Sequence, residues 1–156
     1  MAYIGGIVTG FYLFASAPGI HKKTKWQHLT GWDYAHRGLY DNEHGIPENS
    51  MAAFRRAVDK GYGIELDVHL TADNQLVVFH DDTLTRMCGM NKKISSFLYS
   101  DLMQLRLLGT EEGIPLFKDV LELIDGKVPL IIELKVDGSN QNLLCPLVWQ
   151  LLSRYK

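Results

Sequence analysis

Two hydrophobic patterns divide the chain at about residue 30. Residues 2–20 carry no charged side chain, and a basic stretch that includes Lys22, Lys23 and Lys25 follows them directly. An uncharged run of this length can cross a bilayer core as a helix, and positive charge on its carboxyl side keeps the following domain in the cytoplasm. The pattern predicts a hydrophobic helix that anchors a cytoplasmic domain to a membrane. A loosely packed first helix of a cytoplasmic protein is the alternative.

Beyond residue 30, short apolar runs alternate with segments in which apolar residues recur at helical period. Ile64–Leu70 alternates as a strand does, and the apolar run Val128–Leu134 indicates a strand buried on both faces. Strand–helix alternation of this kind indicates an α/β fold with a largely parallel sheet. The predicted strands are 33–37, 64–70, 76–79 and 128–134; the predicted helices are one capped by Asn49 or Ser50 and ended by Gly61, and 100–108, 116–124 and 140–155.

The composition narrows the class of protein. The sequence has 156 residues, which is enough for one domain with a core of its own. Its formal net charge of -2 argues against a nucleic-acid partner. Cys88 and Cys145 form no CxxC pair, so neither a disulfide scaffold nor a zinc knuckle is indicated, and both are expected to be buried thiols.

Acidic side chains occur inside the predicted strands, where they are costly. A period of two places Glu65 and Asp67 on one face of a strand, and Glu133 follows an apolar run with Lys135 on the same face. Neighbouring carboxylates repel each other and lose hydration when buried. A lone pair of this kind would fit an exposed edge strand. Three acids on neighbouring strands fit a hard divalent cation, Mg²⁺ or Ca²⁺, better.

Two histidines follow predicted strands. His36 ends the first strand and His80 the third, and sites in α/β folds form at the carboxyl ends of strands. A histidine pair can act as general acid and base near neutral pH, and Arg37 and Lys135 can bind a phosphate. His69 is expected in the loop after its strand and outside the ligand set. Together these residues indicate phosphoryl chemistry.

The order of motifs resembles that of the glycerophosphodiester phosphodiesterases. The segments that carry the resemblance, within residues 33–136, are His36-Arg37-Gly38, Pro47-Glu48-Asn49-Ser50, Glu65-Leu66-Asp67-Val68, Val78-Phe79-His80-Asp81, Thr83-Leu84-Thr85-Arg86, Ile114-Pro115 and Ile132-Glu133-Leu134-Lys135. An ordered series is more specific than any single motif.

The resemblance implies a TIM barrel that cleaves small glycerophosphodiesters to glycerol 3-phosphate and an alcohol with a divalent metal. It implies His36 and His80 as the acid–base pair, and Arg37 and Lys135 as phosphate ligands. Glu48 is implied as a further site residue, although an acid beside a helix start is a second explanation for it. The metal ligands implied are Glu65, Asp67 and Glu133.

The chain is short for such a barrel, which typically needs about 250 residues. Residues 1–26 are predicted as the hydrophobic segment with its basic flank, and residues 27–156 as the N-terminal half of the barrel, with an uncovered edge strand. The expectation is a fragment of a longer protein, or a half that pairs with the missing C-terminal half. Two alternatives stay open. One is a lipid-directed phosphodiesterase or lyase that forms a cyclic phosphate, and the other is an inactive, membrane-tethered module.

Overall fold

The computed structural model describes residues 27–138 and 140–155. The chain divides into two units, Met1–Gly31 and Trp32–Lys156. In the first unit the described residues form a turn, in which the Thr30 hydroxyl donates to the carbonyl of Gln27 at 3.2 Å. The predicted hydrophobic helix at 2–20 and its basic flank lie outside the described residues. No helix among the described residues is both long and apolar enough to cross a membrane.

The second unit contains four strands and five α-helices among its described residues. Three single 3-10 turns, at Asn42–His44, Ile94–Ser96 and Leu107–Gly109, lie between them. The strands are β1 (Tyr34–His36), β2 (Gly63–Leu70), β3 (Leu76–Val78) and β4 (Leu130–Leu134); the helices are α1 (Met51–Asp59), α2 (Thr85–Cys88), α3 (Tyr99–Leu102), α4 (Phe117–Ile124) and α5 (Gln141–Leu152). All four predicted strands, and the first, third and fourth predicted helices, are confirmed.

Strand β2 is the centre of the sheet. It pairs in parallel with β1 and with β4, and antiparallel with β3. Strand β1 meets the first half of β2 and β3 meets the second half, while β4 spans both, so β1 and β3 share one edge of β2 and β4 takes the other. The predicted largely parallel sheet is therefore confirmed. Strands β1, β2 and β4 are parallel, and β3 is a hairpin extension of β2.

The two faces of the sheet have different roles. Alternate residues of β2, among them Leu66 and Val68, pack with Phe54 of α1 and Phe117 of α4 in the main core. The opposite face, which we call the site face, carries the acidic residues of β2 and β4. Ile131 of β4 lies on this face and is 45% exposed. The prediction that β4 is buried on both faces is wrong, because only the face opposite the site face packs against the core. The edge of β4 that points away from β2 has no strand partner among the described residues.

A second hydrophobic cluster lies under the segment that follows β3. Val77 of β3 points into it, and Leu102 and Leu107 close it from the chain beyond. The predicted helix 100–108 is wrong. It is replaced by the single turn of α3 and a later 3-10 turn, because Leu108 adopts a left-handed conformation with φ 51° and lets Leu107 turn into the cluster.

The prediction that Cys88 and Cys145 are buried thiols is also wrong. Cys145 is exposed on α5, because the buried residues of that helix, Leu144 and Val148, face the core from another side. Cys88 is half-buried, and burial raises the pKa of its thiol to about 11.

Candidate active site

Three carboxylates meet on the site face of the sheet. Asp67 of β2 and Glu133 of β4 are register partners, and Glu65 lies two residues before Asp67 on the same face. The three residues offer carboxylate oxygens that lie within 4.8 Å of one another. The structure thus brings the three predicted metal ligands together, and the parallel register of β2 and β4 accounts for their meeting.

The chemistry of this cluster fits a divalent cation. An ion midway between two oxygens 4.8 Å apart is about 2.4 Å from each, and hard cations such as Ca²⁺ bind carboxylate oxygens at about that distance. Burial and the nearby charge of Asp67 raise the pKa of Glu65, so the cluster gains from added positive charge.

Lys135 supplies positive charge to two of the acids. Its ammonium lies 2.7 Å from Oε1 of Glu133 and 2.9 Å from Oδ1 of Asp67. Burial lowers the pKa of Lys135, but the hydrogen bonds to these acids outweigh that effect and raise it. The predicted phosphate ligand is therefore placed within the acid cluster.

Asp67 is buried and is held by a loop that follows β1. The side-chain amide of Asn49 donates to its Oδ2 at 2.9 Å. Asn49 has φ 53°, a left-handed conformation that asparagine adopts more readily than most residues. Its own backbone N–H donates to the carbonyl of Arg37 at 2.9 Å, so the loop is tied to the end of β1 while its side chain orients the acid.

His36 and Arg37 end β1 beside Glu65, whose register partner is His36. The His36 side chain is 65% exposed, with Nε2 3.9 Å from Oε2 of Glu65. Arg37 has φ 58° and donates its backbone N–H to the same oxygen at 3.1 Å. Gly38 continues the turn at φ +80°, close under Ala53 of α1. The end of β1 therefore presents an exposed imidazole and fixes the Glu65 carboxylate.

Glu48 is buried between two arginines. Its Oε1 accepts from Arg37 Nη1 at 2.8 Å and from Arg86 Nη2 at 2.7 Å, and its Oε2 accepts from Arg86 Nη1 at 2.9 Å. Burial raises the pKa of Glu48, but the hydrogen bonds from Arg86 and Arg37 outweigh that effect. The resulting pKa is about 2, well below the ordinary value of 4.5. The site prediction for Glu48 thus falls on a residue with strong protein partners, and its contact with substrate stays a prediction.

His80 follows the hairpin formed by β2 and β3, as the short connection between these strands in the sequence indicates. Because β3 is antiparallel, the chain returns along β2, and Phe79 donates its N–H to the carbonyl of Asp67 at 3.0 Å. His80 follows at once, and its Nδ1 lies 2.6 Å from Oδ1 of Asp81. The imidazole of His36 therefore lies next to the Glu65 carboxylate, and the backbone places His80 one residue beyond the contact between Phe79 and Asp67.

The prediction that His69 lies in a loop is wrong. His69 is buried within β2, because β2 extends to Leu70 and continues into the hairpin. Its Nε2 lies 3.3 Å from the carbonyl oxygen of His80, and burial lowers its pKa. In the neutral form this imidazole can donate to the His80 backbone and support the turn that carries His80.

Three residues of this site were given no part in it by the sequence: Asp81, Arg86, and Asn49, which was considered only as a helix cap. Each lies in a segment that carries the family resemblance, which was the available signal. Their contacts join residues far apart in the chain, as with Arg86 and Glu48, 38 positions apart. Local periodicity carries no information about such contacts.

The chain is similar in sequence to a known protein family. The sequence model of the Glycerophosphoryl diester phosphodiesterase family matches residues 36–151. The lysophospholipase D GDPD1 of Homo sapiens is 33% identical over 99% of this chain and 51% of its own length. A glycerophosphodiester phosphodiesterase of Bacillus altitudinis is 37% identical over 68% of this chain and 45% of its own length.

Solved structures agree on the fold. An Oleispira antarctica phosphodiesterase in complex with the product sn-glycerol-3-phosphate superposes with a TM-score of 0.72 at 27% identity, covering 81% of this chain and 53% of that one. A glycerophosphodiester phosphodiesterase from Parabacteroides distasonis gives 0.67 at 36% identity, over 80% and 51%. The predicted TIM-barrel type is confirmed, and the chain spans about half the length of the relatives it matches.

Proposed function

The chain belongs to the glycerophosphoryl diester phosphodiesterase family, and we propose that its site hydrolyses a glycerophosphodiester to a glycerol phosphate and an alcohol. The observation that carries the proposal is the cluster of three carboxylates on the site face, with His36 next to Glu65 and with His80 directly after the residue whose N–H contacts the Asp67 carbonyl. A cation site beside two imidazoles suits a reaction that gathers negative charge on phosphorus and moves two protons.

The two histidines act as acid and base. One takes the proton from the glycerol hydroxyl next to the phosphate, and that oxygen attacks phosphorus. The other gives a proton to the oxygen of the leaving alcohol as its bond to phosphorus breaks. Water then opens the cyclic phosphate, with the protons returned in the opposite direction.

A divalent cation bound by Glu65, Asp67 and Glu133 would neutralise the phosphodiester charge. Arg37 is the second group proposed to bind the phosphate. Glu48 holds it through Nη1 at 2.8 Å, and its side chain is 17% exposed, so the guanidinium is oriented before substrate arrives and little ordering is needed on binding.

A lysophospholipid is a second candidate substrate. The human relative that aligns over almost the whole chain is named a lysophospholipase D, and a lysophospholipid is a glycerophosphodiester with one acyl chain added. The same acid–base chemistry serves both, so the acyl chain is the variable that an assay must test.

The experiment compares glycerophosphocholine and lysophosphatidylcholine as substrates, with Mg²⁺ or Ca²⁺ and again with chelator, while calorimetry measures cation binding. We expect cation-dependent release of choline, lost in His80→Ala. Cation binding without turnover of either substrate would contradict the proposal and favour a binding module. A phosphorus NMR signal from a stable cyclic phosphate would favour a lyase.

A further inference from the structure

Arg86 uses all three nitrogens of its guanidinium on two acids. Nη1 and Nη2 donate to the two carboxylate oxygens of Glu48 at 2.9 and 2.7 Å. Nε and Nη2 donate to the two oxygens of Asp81 at 2.8 and 2.9 Å. Two bidentate contacts from one planar group fix the relative position of both carboxylates, which an ammonium group cannot do.

Asp81 in turn contacts His80. Its Oδ1 lies 2.6 Å from His80 Nδ1, and the hydrogen bonds from Arg86 are the largest of the effects that lower its pKa, to about 2. An ionised carboxylate only accepts, so the proton of this contact belongs to Nδ1. Nε2 is then the ring nitrogen that can exchange a proton with substrate, and its tautomeric state is set by the Asp81 contact.

We propose that Arg86 is a positioning residue, which clamps Asp81 against Nδ1 of His80 and so presents Nε2 of His80 to the substrate. The role rests on the proposed function of His80 as acid or base. The clamp is anchored in the protein through Glu48, which is buried and also binds Arg37. One chain of contacts therefore orients the guanidinium proposed to bind phosphate and the imidazole proposed to move a proton.

A purely structural role for Arg86 makes a different prediction. The Arg86 side chain is 44% exposed, and exposed ion pairs contribute little to stability. If Arg86 only joined surface segments, its loss would leave the protonation of His80 Nδ1 unchanged. If it acts through Asp81, its loss and the loss of the Asp81 charge disturb His80 in the same way.

The test uses the full chain with ¹⁵N-labelled histidine and four variants: Arg86→Met, Asp81→Asn, the double variant and the control Arg55→Met, an exposed arginine of α1. His80 is assigned by His80→Gln. In the wild type we expect a protonated Nδ1 with a low-field proton resonance, and its loss in both single variants but not in Arg55→Met. Retention of that resonance in Arg86→Met would overturn the proposal.

Kinetics supply the second arm. Arg86→Met should lower kcat about 10- to 100-fold with KM changed much less, because an oriented acid or base contributes mainly to the chemical step. The double variant should be no slower than the slower single variant, since both changes break one contact chain. If the fold-loss in kcat of the double variant equals the product of the two single-variant losses, the proposal is overturned.

The two arms separate this proposal from the proposed function. If the wild type turns over neither substrate, the proposed function fails, and the NMR comparison still decides whether Arg86 sets the state of His80. If Arg86→Met does not fold, Arg86→Lys carries the same prediction, because it keeps the charge but loses the bidentate contacts.

Discussion

Asp67 and Glu133 are Cα partners on adjacent parallel strands, although 66 positions separate them in the sequence. Register partners project to the same side of a sheet, so the two carboxylates and the neighbouring Glu65 face one point. A buried acid, a half-buried acid and an exposed acid are assembled there with Lys135 between two of them. This register is the reason that the three carboxylates can share one cation.

Removing one carboxylate should remove the cation. Asp67→Asn and Glu133→Gln keep the size of each side chain but take away a charge, and we expect Ca²⁺ and Mg²⁺ binding to weaken about 100-fold or more. Isothermal titration calorimetry measures the effect. Glu122→Gln, an exposed acid of α4, is the matched control. Wild-type affinity in Asp67→Asn would show that the cation is held elsewhere.

Lys135→Met should make the stability of the protein depend more on divalent cations. The Lys135 ammonium is 15% exposed and pairs with two acids, so its loss leaves the acid cluster without a neutralising charge. We expect Tm without added cation to fall by about 3–6 °C and saturating Ca²⁺ to restore more Tm than in the wild type.

The control for this variant is Lys127→Met, which breaks the exposed ion pair with Asp125. It should change Tm little, with or without Ca²⁺. An equal Ca²⁺-induced gain in Tm for Lys135→Met and the wild type would contradict the interpretation.

Glu48 should make the protein sensitive to acid. Its pKa lies at about 2 in the folded protein against an ordinary 4.5. A carboxyl whose pKa is lowered by folding stabilises the folded state above its unfolded pKa, and the contribution is lost as pH falls toward the folded value. Between pH 4.5 and 2 the free energy of unfolding should therefore fall by up to about 3 kcal/mol more in the wild type than in Glu48→Gln.

Urea denaturation as a function of pH checks this prediction. Glu48→Gln should already be less stable at pH 7, since the charge between Arg37 and Arg86 is gone, while the exposed Glu111→Gln should follow the wild-type curve. Parallel curves for the wild type and Glu48→Gln would contradict the assignment of acid sensitivity to this residue.

Alanine substitutions at Gly38 and Gly45 distinguish the cost of backbone strain from the cost of a steric clash. Both have φ +80°, but a Cβ at Gly38 would lie 2.9 Å from Cβ of Ala53, whereas a Cβ at Gly45 would meet nothing within 4 Å. Gly45→Ala should cost about 1–2 kcal/mol from the left-handed backbone alone. Gly38→Ala should cost about 2–4 kcal/mol, since α1 must also move. Equal losses in urea denaturation would show that the contact with Ala53 contributes nothing.

The sequence allowed much of this fold and site to be predicted, for reasons tied to local pattern. The alternation in β2 placed Glu65 and Asp67 on one face, and the end of β1 placed His36. The short connection before β3 is typical of a hairpin, whereas the buried position of His69 depends on the tertiary packing around β2. The same holds for Arg86, whose partners Glu48 and Asp81 are brought to it by the tertiary fold. The break in the predicted helix at Leu108 reflects packing into a second core, which periodicity alone does not register.

The most direct test of the central claim is release of choline from glycerophosphocholine by this chain, measured with Ca²⁺ or Mg²⁺, with chelator, and with His80→Ala. We expect release that requires the cation and falls by about 100-fold or more in the variant. Release that persists in chelator, or that His80→Ala leaves unchanged, would contradict the proposed cation-dependent reaction.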